Sequence, residues 1–564
     1  MKSAISLSLG LALATTGCNP YSSVTQVQPA YHSKTPAGQI IAASLKQPSP
    51  QPLVQMGHYL DAAAAAGSVL ENHPENTQAR LDYNFAVARI FGIINNAGFE
   101  PWKATLLCPG ASQVWNFSLK RDPQPQRNPS NFKIEPADIY NFKGTLVVQR
   151  TVKDGLGAPL VVMSKDIDPE KLDPFAQGKH IYYGMTGVVN FTGRECVAKF
   201  IDPLAVETVS FDGHTYPLAA DFTAPLALAL ADLKPRAKEL EGMFMPAEFE
   251  SKVRLARLQP YDPNKIPVLC IHGLGDSQAT WAPLIQTLRG DPVIRKNYQF
   301  WFFSYPTGYP YPLTAAVLRR RMDAINAYYP NHKQIVAIGH SMGGMISRTL
   351  ITDSGMKLWN AIYDKPPSQL PVSAETRKVM SEALIFKHRT DLSRVIFMSP
   401  SHRGADMATS FWGRLGSKII GDPKDAIPDE NKVLSLAKPN STGEHLTRIP
   451  NSIDMLDPKN RFVTTLAKIR LTPGIPYHTI IGDRGKGGSL NHEPPVGTDR
   501  PPVSTDGIVP YWSSHLDGAK SEAIIPSHHW TNQHPLGIAE VGKILHQHCK
   551  LPQPESCPTN PKLR

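Results

Sequence analysis

The stretch Gln334-Ile335-Val336-Ala337-Ile338, then Gly339-His340-Ser341-Met342-Gly343, then the run from Met345 to Thr352, decides how the second half of this chain folds. An apolar strand runs into a turn with glycine at both ends and out into a helix. Glycine tolerates the close backbone approach that so sharp a reversal demands. The turn leaves its middle residue in the open beside the positive end of the helix, where developing negative charge is favoured. Ser341 is therefore read as a nucleophile, the alternative being a glycine-rich structural turn.

On either side of this turn, short apolar strands alternate with helical stretches from Ile266 onward. The strands are predicted at 266–271, 299–304, 334–338, 394–398, 477–481 and 522–525. Alternation of this kind predicts an α/β fold, a mostly parallel sheet with helices on both faces. Ligand-facing groups then gather beyond the carboxyl ends of the strands. His272-Gly273-Leu274-Gly275-Asp276 directly follows the first strand, and Ser401-His402-Arg403-Gly404 lies just beyond the fourth, so His272 and His402 are candidates for the substrate pocket. About eighty residues separate the fourth and fifth strands, far more than a usual connection. Residues 405–473 are accordingly read as a cap, with Met407, Phe411, Trp412 and Leu415 apolar enough to cover a cleft.

His272-Gly273-Leu274, the run Tyr298 to Gly308, the Gly339 to Gly344 run and Ser401 to Gly404 together resemble the bacterial α/β-hydrolases related to lipases and to the GPI-inositol-deacylase-like family. The resemblance covers residues 263–548. It implies an α/β-hydrolase domain with a Ser-Asp-His order along the chain. Asp506 heads a segment similar to the acid-bearing stretch of bacterial triacylglycerol lipases, with Asp483 as the alternative directly after a strand. His529 follows the last strand at the position the family gives its base, and His528 is the rival. The resemblance also implies oxyanion donors at the backbone of Leu274 and Met342. His340, inside the turn, is expected to pack or hydrogen-bond locally, and His546 and His548 to be exposed at a helix end.

The rest of the chain is organised differently. Residues 1–17 read as a signal peptide: Lys2 is the positive start, Ile5 to Ala14 the short apolar core, and Thr15-Thr16-Gly17-Cys18 the cleavage site, which resembles a bacterial lipoprotein signal with lipid on Cys18. Residues 18–52 are polar and read as a flexible tether. Residues 53–98 read as a helical hairpin, with Leu81, Phe85, Ala88 and Phe91 at helical spacing. Residues 99–220 form a β-rich module, 221–262 a helical connector, 263–548 the hydrolase-like domain, and 549–564 a tail.

The net charge of +11 is spread along the 564 residues without interleaved aromatic side chains, which excludes a nucleic-acid platform. Of six cysteines, Cys108, Cys196, Cys549 and Cys557 are available for disulfides in an exported protein; the local pairing of Cys108 with Cys196 and Cys549 with Cys557 is simplest, and three connectivities remain open. No cofactor is implied, and no CxxC or HExxH spacing points to a metal. The expected function is hydrolysis of carboxylic esters, lipid-like ones first, by an exported protein lipid-anchored at the cell envelope. The alternatives are acyl transfer by the same residues, and a surface-anchored binding protein whose hydrolase half is vestigial. Any protein partner of the N-terminal region is unidentified.

Overall fold

The computed structural model describes residues 21–120, 129–147, 149–165, 175, 180–233, 253–405, 427–439, 445–486, 490 and 504–550. The expected signal peptide with Cys18, most of the tail with Cys557, and the apolar cap residues named above lie outside them. Two compact units emerge, residues 1–172 with 178–236 and residues 173–177 with 237–564.

In the first unit, helices α1 (Pro36–Lys46), α2 (Pro52–Asn72) and α3 (Thr77–Ala97) share one core with a six-stranded sheet. Its strands are β1 (Leu106–Pro109), β2 (Val114–Leu119), β3 (Phe132–Pro136), β4 (Ala158–Ser164), β5 (Tyr182–Thr192) and β6 (Glu195–Ile201), in the order β1-β2-β6-β5-β4-β3. A hairpin and a sheet each carry one apolar face, and here each covers the other. They are one unit and not two modules. Tyr83 ties them together, its hydroxyl donating to the Val189 carbonyl at 2.7 Å and accepting from the Val189 N–H at 2.8 Å. Of the four α3 residues expected at helical spacing, Phe85, Ala88 and Phe91 are buried and Leu81 is exposed.

Three expectations are corrected in this half. Residues 21–52 are no free tether: Ser23–Gln26 pairs with Tyr140–Lys143, and α1 is capped by the Thr35 side chain and buries Ala37 and Ile41. Two well-placed apolar residues on one helical face outweigh a polar average composition. The connector is helical only at α4 (Ala224–Leu233) among its described residues; β7 (Arg254–Arg257) is a strand of the second unit. Cys108 and Cys196 are both free and buried. They lie on β1 and β6 with β2 between them, and two inter-strand spacings of about 4.8 Å exceed the Cα separation a disulfide can bridge.

The second unit is built on β7, β8 (Ile266–Ile271), β9 (Tyr298–Ser304), β10 (Ile335–His340), β11 (Leu392–Met398), β12 (Tyr477–Gly482) and β13 (Ser521–Ile525). The order is β7-β9-β8-β10-β11-β12-β13, every pairing parallel except β7 against β9. Every residue of β8 and β10 is buried, as expected of strands covered on both faces. Leu269 and Ile271 pack on the side of α6 (Tyr311–Tyr328) and α7 (Met342–Thr349). On a strand, successive side chains face opposite ways, so Val268 and Cys270 face the other side. There α5 (Ala282–Arg289) and α8 (Pro535–Cys549) pack on each other. Contrary to expectation, His548 on α8 is buried against Tyr298. Among the described residues no helix is long and apolar enough to cross a membrane.

Candidate active site

Ser341 stands between β10 and α7 with φ 53° and ψ −122°. A residue with a Cβ reaches this backbone region only under strain of about 1–3 kcal/mol, which the surrounding fold must hold in place. What holds it is close packing. The Ser341 N–H donates to the Met398 carbonyl at 2.9 Å, and its carbonyl accepts from Gly344 at 2.9 Å. A Cβ on Gly343 would come within 2.1 Å of the Ile271 carbonyl oxygen, and one on Gly339 within 2.4 Å of the Gly343 carbonyl oxygen. The glycines are there because α7 crosses directly over the ends of its own strand and of β8.

His529 lies in the loop between β13 and α8. Its Nδ1–H donates to Oδ2 of Asp506 at 2.7 Å, with both side chains buried. The other carboxylate oxygen of Asp506 accepts the N–H groups of Ile508 at 2.9 Å and Val509 at 2.7 Å. Burial works against the charge on Asp506, but His529 and these two amides outweigh it and hold the carboxyl below its ordinary range. With Nδ1 engaged, Nε2 is the ring nitrogen available for proton transfer.

Ser341 and His529 line one cavity together with Leu274, Asp276, His340, Ser401, Leu456, Ile508, Val509 and Trp530. Its volume of about 20 Å³ is the space of a single water. Among the described residues neither the Leu274 nor the Met342 N–H has a hydrogen-bond partner, so both are free to receive an oxyanion. The two alternatives stand elsewhere. His528 is exposed and absent from the cavity wall, and Asp483 spends Oδ1 on the Gly485 N–H at 2.9 Å.

Residues 268–541 match the family described as the alpha/beta hydrolase family. The second unit is an α/β-hydrolase domain. Among solved structures the chain is similar to a mature lipase of Bacillus licheniformis, at 15% identity over 52% of this chain and 97% of that one, with a TM-score of 0.28. It is also similar to lipase 1 of Pelosinus fermentans, at 14% identity over 51% of this chain and all 100% of that one, TM-score 0.31. A metagenomic carboxyl esterase follows at 14% identity over 52% and 79%, TM-score 0.29. Likeness of that order carries no information about substrate. No curated protein sequence matches the chain.

The two histidines expected in the substrate pocket of the hydrolase domain lie behind it. His272 is buried with its ring stacked on Tyr305 at 4.2 Å, and Nδ1–H donates to the Gly273 carbonyl at 3.1 Å. Tyr305 donates in turn to the His272 carbonyl at 2.5 Å, so both rings brace the turn that carries the Leu274 N–H. Burial pushes the His272 imidazole down to about 4. His402 is buried edge-on against Phe397, 4.7 Å between ring centres, and burial beside Arg348 and Arg403 holds it well below its ordinary value. Ser401, one residue earlier, is the one on the cavity wall. Arg403 braces the segment after Asp506: its N–H donates to the Ser513 hydroxyl at 3.1 Å and its guanidinium to the Trp512 and His515 carbonyls.

Sequence reading missed three groups of the hydrolase site. Asp276 was named only as part of its turn. Trp530, 44% exposed on the cavity wall, offered its place next to His529 as the one available signal. His340 reaches across the fold to the His529 carbonyl, 189 residues away, and does not hydrogen-bond locally.

Proposed function

We propose that this protein hydrolyses carboxylic esters through an acyl-enzyme, with Ser341 as nucleophile, His529 as base and Asp506 as the acid that orients it. The observation that carries the reading is the junction of two features in one cavity: a serine on a strained strand-to-helix turn, and a histidine whose Nδ1 is held at 2.7 Å by a buried carboxylate. In this mechanism Ser341 Oγ bonds to the ester carbonyl carbon while its proton passes to His529 Nε2. The carbonyl oxygen, now negative, is received by the Leu274 and Met342 N–H groups. Collapse expels the alcohol, which leaves with the proton from His529. Water then repeats the sequence and releases the acid.

Lipid-like esters are the substrates we favour. A second cavity of about 730 Å³ in the same domain is lined largely by apolar side chains, among them Leu313, Met380, Leu434, Ile449 and Phe462. That volume lies within the usual range for a small-molecule site. The turn Asp454–Leu456 stands between the two cavities, with Leu456 on the wall of the small one and Met455 on the wall of the large one. We further infer that the chain is exported and held at the cell envelope by lipid on Cys18. Mass spectrometry of the mature N-terminus tests that part, and an unacylated terminus elsewhere would end it.

The decisive experiment for the chemistry is labelling with a fluorophosphonate probe. Folded wild-type protein should label and the Ser341→Ala variant should not. Absence of labelling in folded wild type would favour a binding protein with a vestigial hydrolase domain.

A further inference from the structure

His340 is the last residue of β10, buried, and immediately precedes Ser341. Its Nε2 lies 3.0 Å from the carbonyl oxygen of His529. A carbonyl only accepts, so the proton sits on Nε2 and Nδ1 carries a bare lone pair. Among the described residues Nδ1 has no hydrogen-bond partner; Asp276 Oδ2 stands 3.9 Å away, beyond hydrogen-bonding distance. The His340 and His529 rings are 5.0 Å apart and inclined at 48°. The same His529 carbonyl also accepts the Thr531 N–H at 2.9 Å, a contact within its own loop. His340 thus supplies a bond between this loop and the strand delivering the serine, at His529 itself, while Thr531 and Asn532 further along the loop are held by Ser399 at 3.2 Å and Thr280 at 2.9 Å.

We infer that His340 is a positioning residue for the proposed hydrolysis, its Nε2–H anchoring the main chain of His529 so that the base stays in register with Ser341. The inference rests on the reading of Ser341, His529 and Asp506 given above. On this arrangement His529 is held at two ends: its ring by Asp506, from the segment after β12, and its backbone by His340, from β10. Loss of either hold lets the imidazole drift, and displacement of a reacting group by about 1 Å can cost about a hundredfold in rate.

The charge state of His340 agrees with this role. Burial, with the like charge of His529, pushes its imidazole down to about 3, against the smaller opposing effects of the His529 carbonyl and Asp506; His272 and Asp276 are the other titratable groups beside it. It therefore stays a neutral donor at any pH well above that value. A second positive ring 5.0 Å from His529 would oppose the imidazolium that forms when His529 takes the serine proton. A neutral His340 provides the anchor without that penalty.

The test compares His340→Ala, His340→Gln and His340→Asn on p-nitrophenyl butyrate. The Gln amide nitrogen reaches about as far as the imidazole Nε2, whereas the Asn amide falls short. We expect the Ala variant to lose about thirty- to a hundredfold in kcat with KM changed less than about twofold, Gln to recover most of it, and Asn to recover little. Equal activity of the Gln and Asn variants, or an Ala variant within about twofold of wild type, overturns the inference. Nitrogen-15 histidine NMR on the wild-type protein reads the bond directly: His340 should appear as the neutral Nε2–H tautomer from pH 8 to pH 5, about two pH units above its folded-state value at the lower end. Wild-type activity with an Nδ1–H tautomer, or with a His340 titrating near its ordinary value, overturns the inference alone. A wild type that turns over no ester overturns the reading of the site, and the inference with it.

Discussion

Asp506 meets His529 at 2.7 Å while its second oxygen is saturated by the Ile508 and Val509 amides. The carboxylate cannot rotate away without giving up two backbone hydrogen bonds, so the Nδ1–H tautomer of His529 is set by the fold. Asp506→Asn keeps the shape but presents the imidazole with a neutral amide that can donate as well as accept. We expect a fall in kcat of about a thousandfold to ten thousandfold, with the thermal midpoint little changed. A loss below about tenfold in steady-state kinetics would sink the assigned role.

Gly343 offers a test of the strained turn. Its missing Cβ faces the Ile271 carbonyl oxygen at 2.1 Å, and that oxygen belongs to a buried central strand with no freedom to retreat. Gly343→Ala should therefore push α7 off β8, at a cost of about 1–3 kcal/mol, and carry Ser341 out of place. Denaturant titration together with fluorophosphonate labelling checks both effects. A variant of wild-type stability that labels at the wild-type rate would show that the turn has slack.

Not every part of this arrangement was legible beforehand. Ser341 could be read from a local pattern at the end of a strand, whereas Asp506, well beyond the end of β12, and His529 were reached through the family resemblance and its Ser-Asp-His order along the chain. The strands of the hydrolase sheet could be found because they are short, apolar and separated by helical runs. His340 gave no such signal: its partner is 189 residues away, and a histidine beside a nucleophile looks the same whether it anchors a base or merely fills space. The edge strand Arg254–Arg257 was hidden by charge at both ends, since an edge strand pairs on one side only and needs no continuous apolar run. The helix Pro36–Lys46 was hidden by its polar flanks, although Thr35 before Pro36 is a legible start signal.

The buried histidines make stability depend on pH. His272 and His340 have folded-state values near 4 and 3, below the ordinary value of 6.5 that the unfolded chain recovers. The unfolded state therefore binds more protons below about pH 6.5, and stability is fully present above that point and lost as pH falls toward the folded values. Asp506, also depressed, adds a further loss only below about pH 4. His402, His478 and His548 are lowered by burial as well, and each such histidine adds a slope of about 1.4 kcal/mol per pH unit between roughly pH 6 and its folded-state value. Urea unfolding at pH 7.5, 5.5 and 4.5 measures it. Equal midpoints across that range would contradict the neutral, buried state of these rings.

The large cavity predicts a dependence on chain length that separates lipid-like substrates from short esters. Ala383 lies on its wall, is buried at 3% exposure, and is absent from the wall of the small cavity that holds Ser341. Ala383→Phe places a ring in open volume, so it should change the space available to a chain without touching the reacting atoms. If the cavity takes the acyl chain, the variant should lose about tenfold or more in kcat/KM for p-nitrophenyl palmitate and stay within about twofold for the butyrate, because each methylene excluded from an apolar site costs about 0.8 kcal/mol. The fluorophosphonate labelling rate serves as the control for an intact site. Equal losses on both esters would mean that the substitution disturbs the fold, and no loss on either would mean that the chain goes elsewhere. In both cases the claim that the cavity sets the preference for lipid-like esters would have to be given up, while the assignment of Ser341, His529 and Asp506 would stand on its own tests.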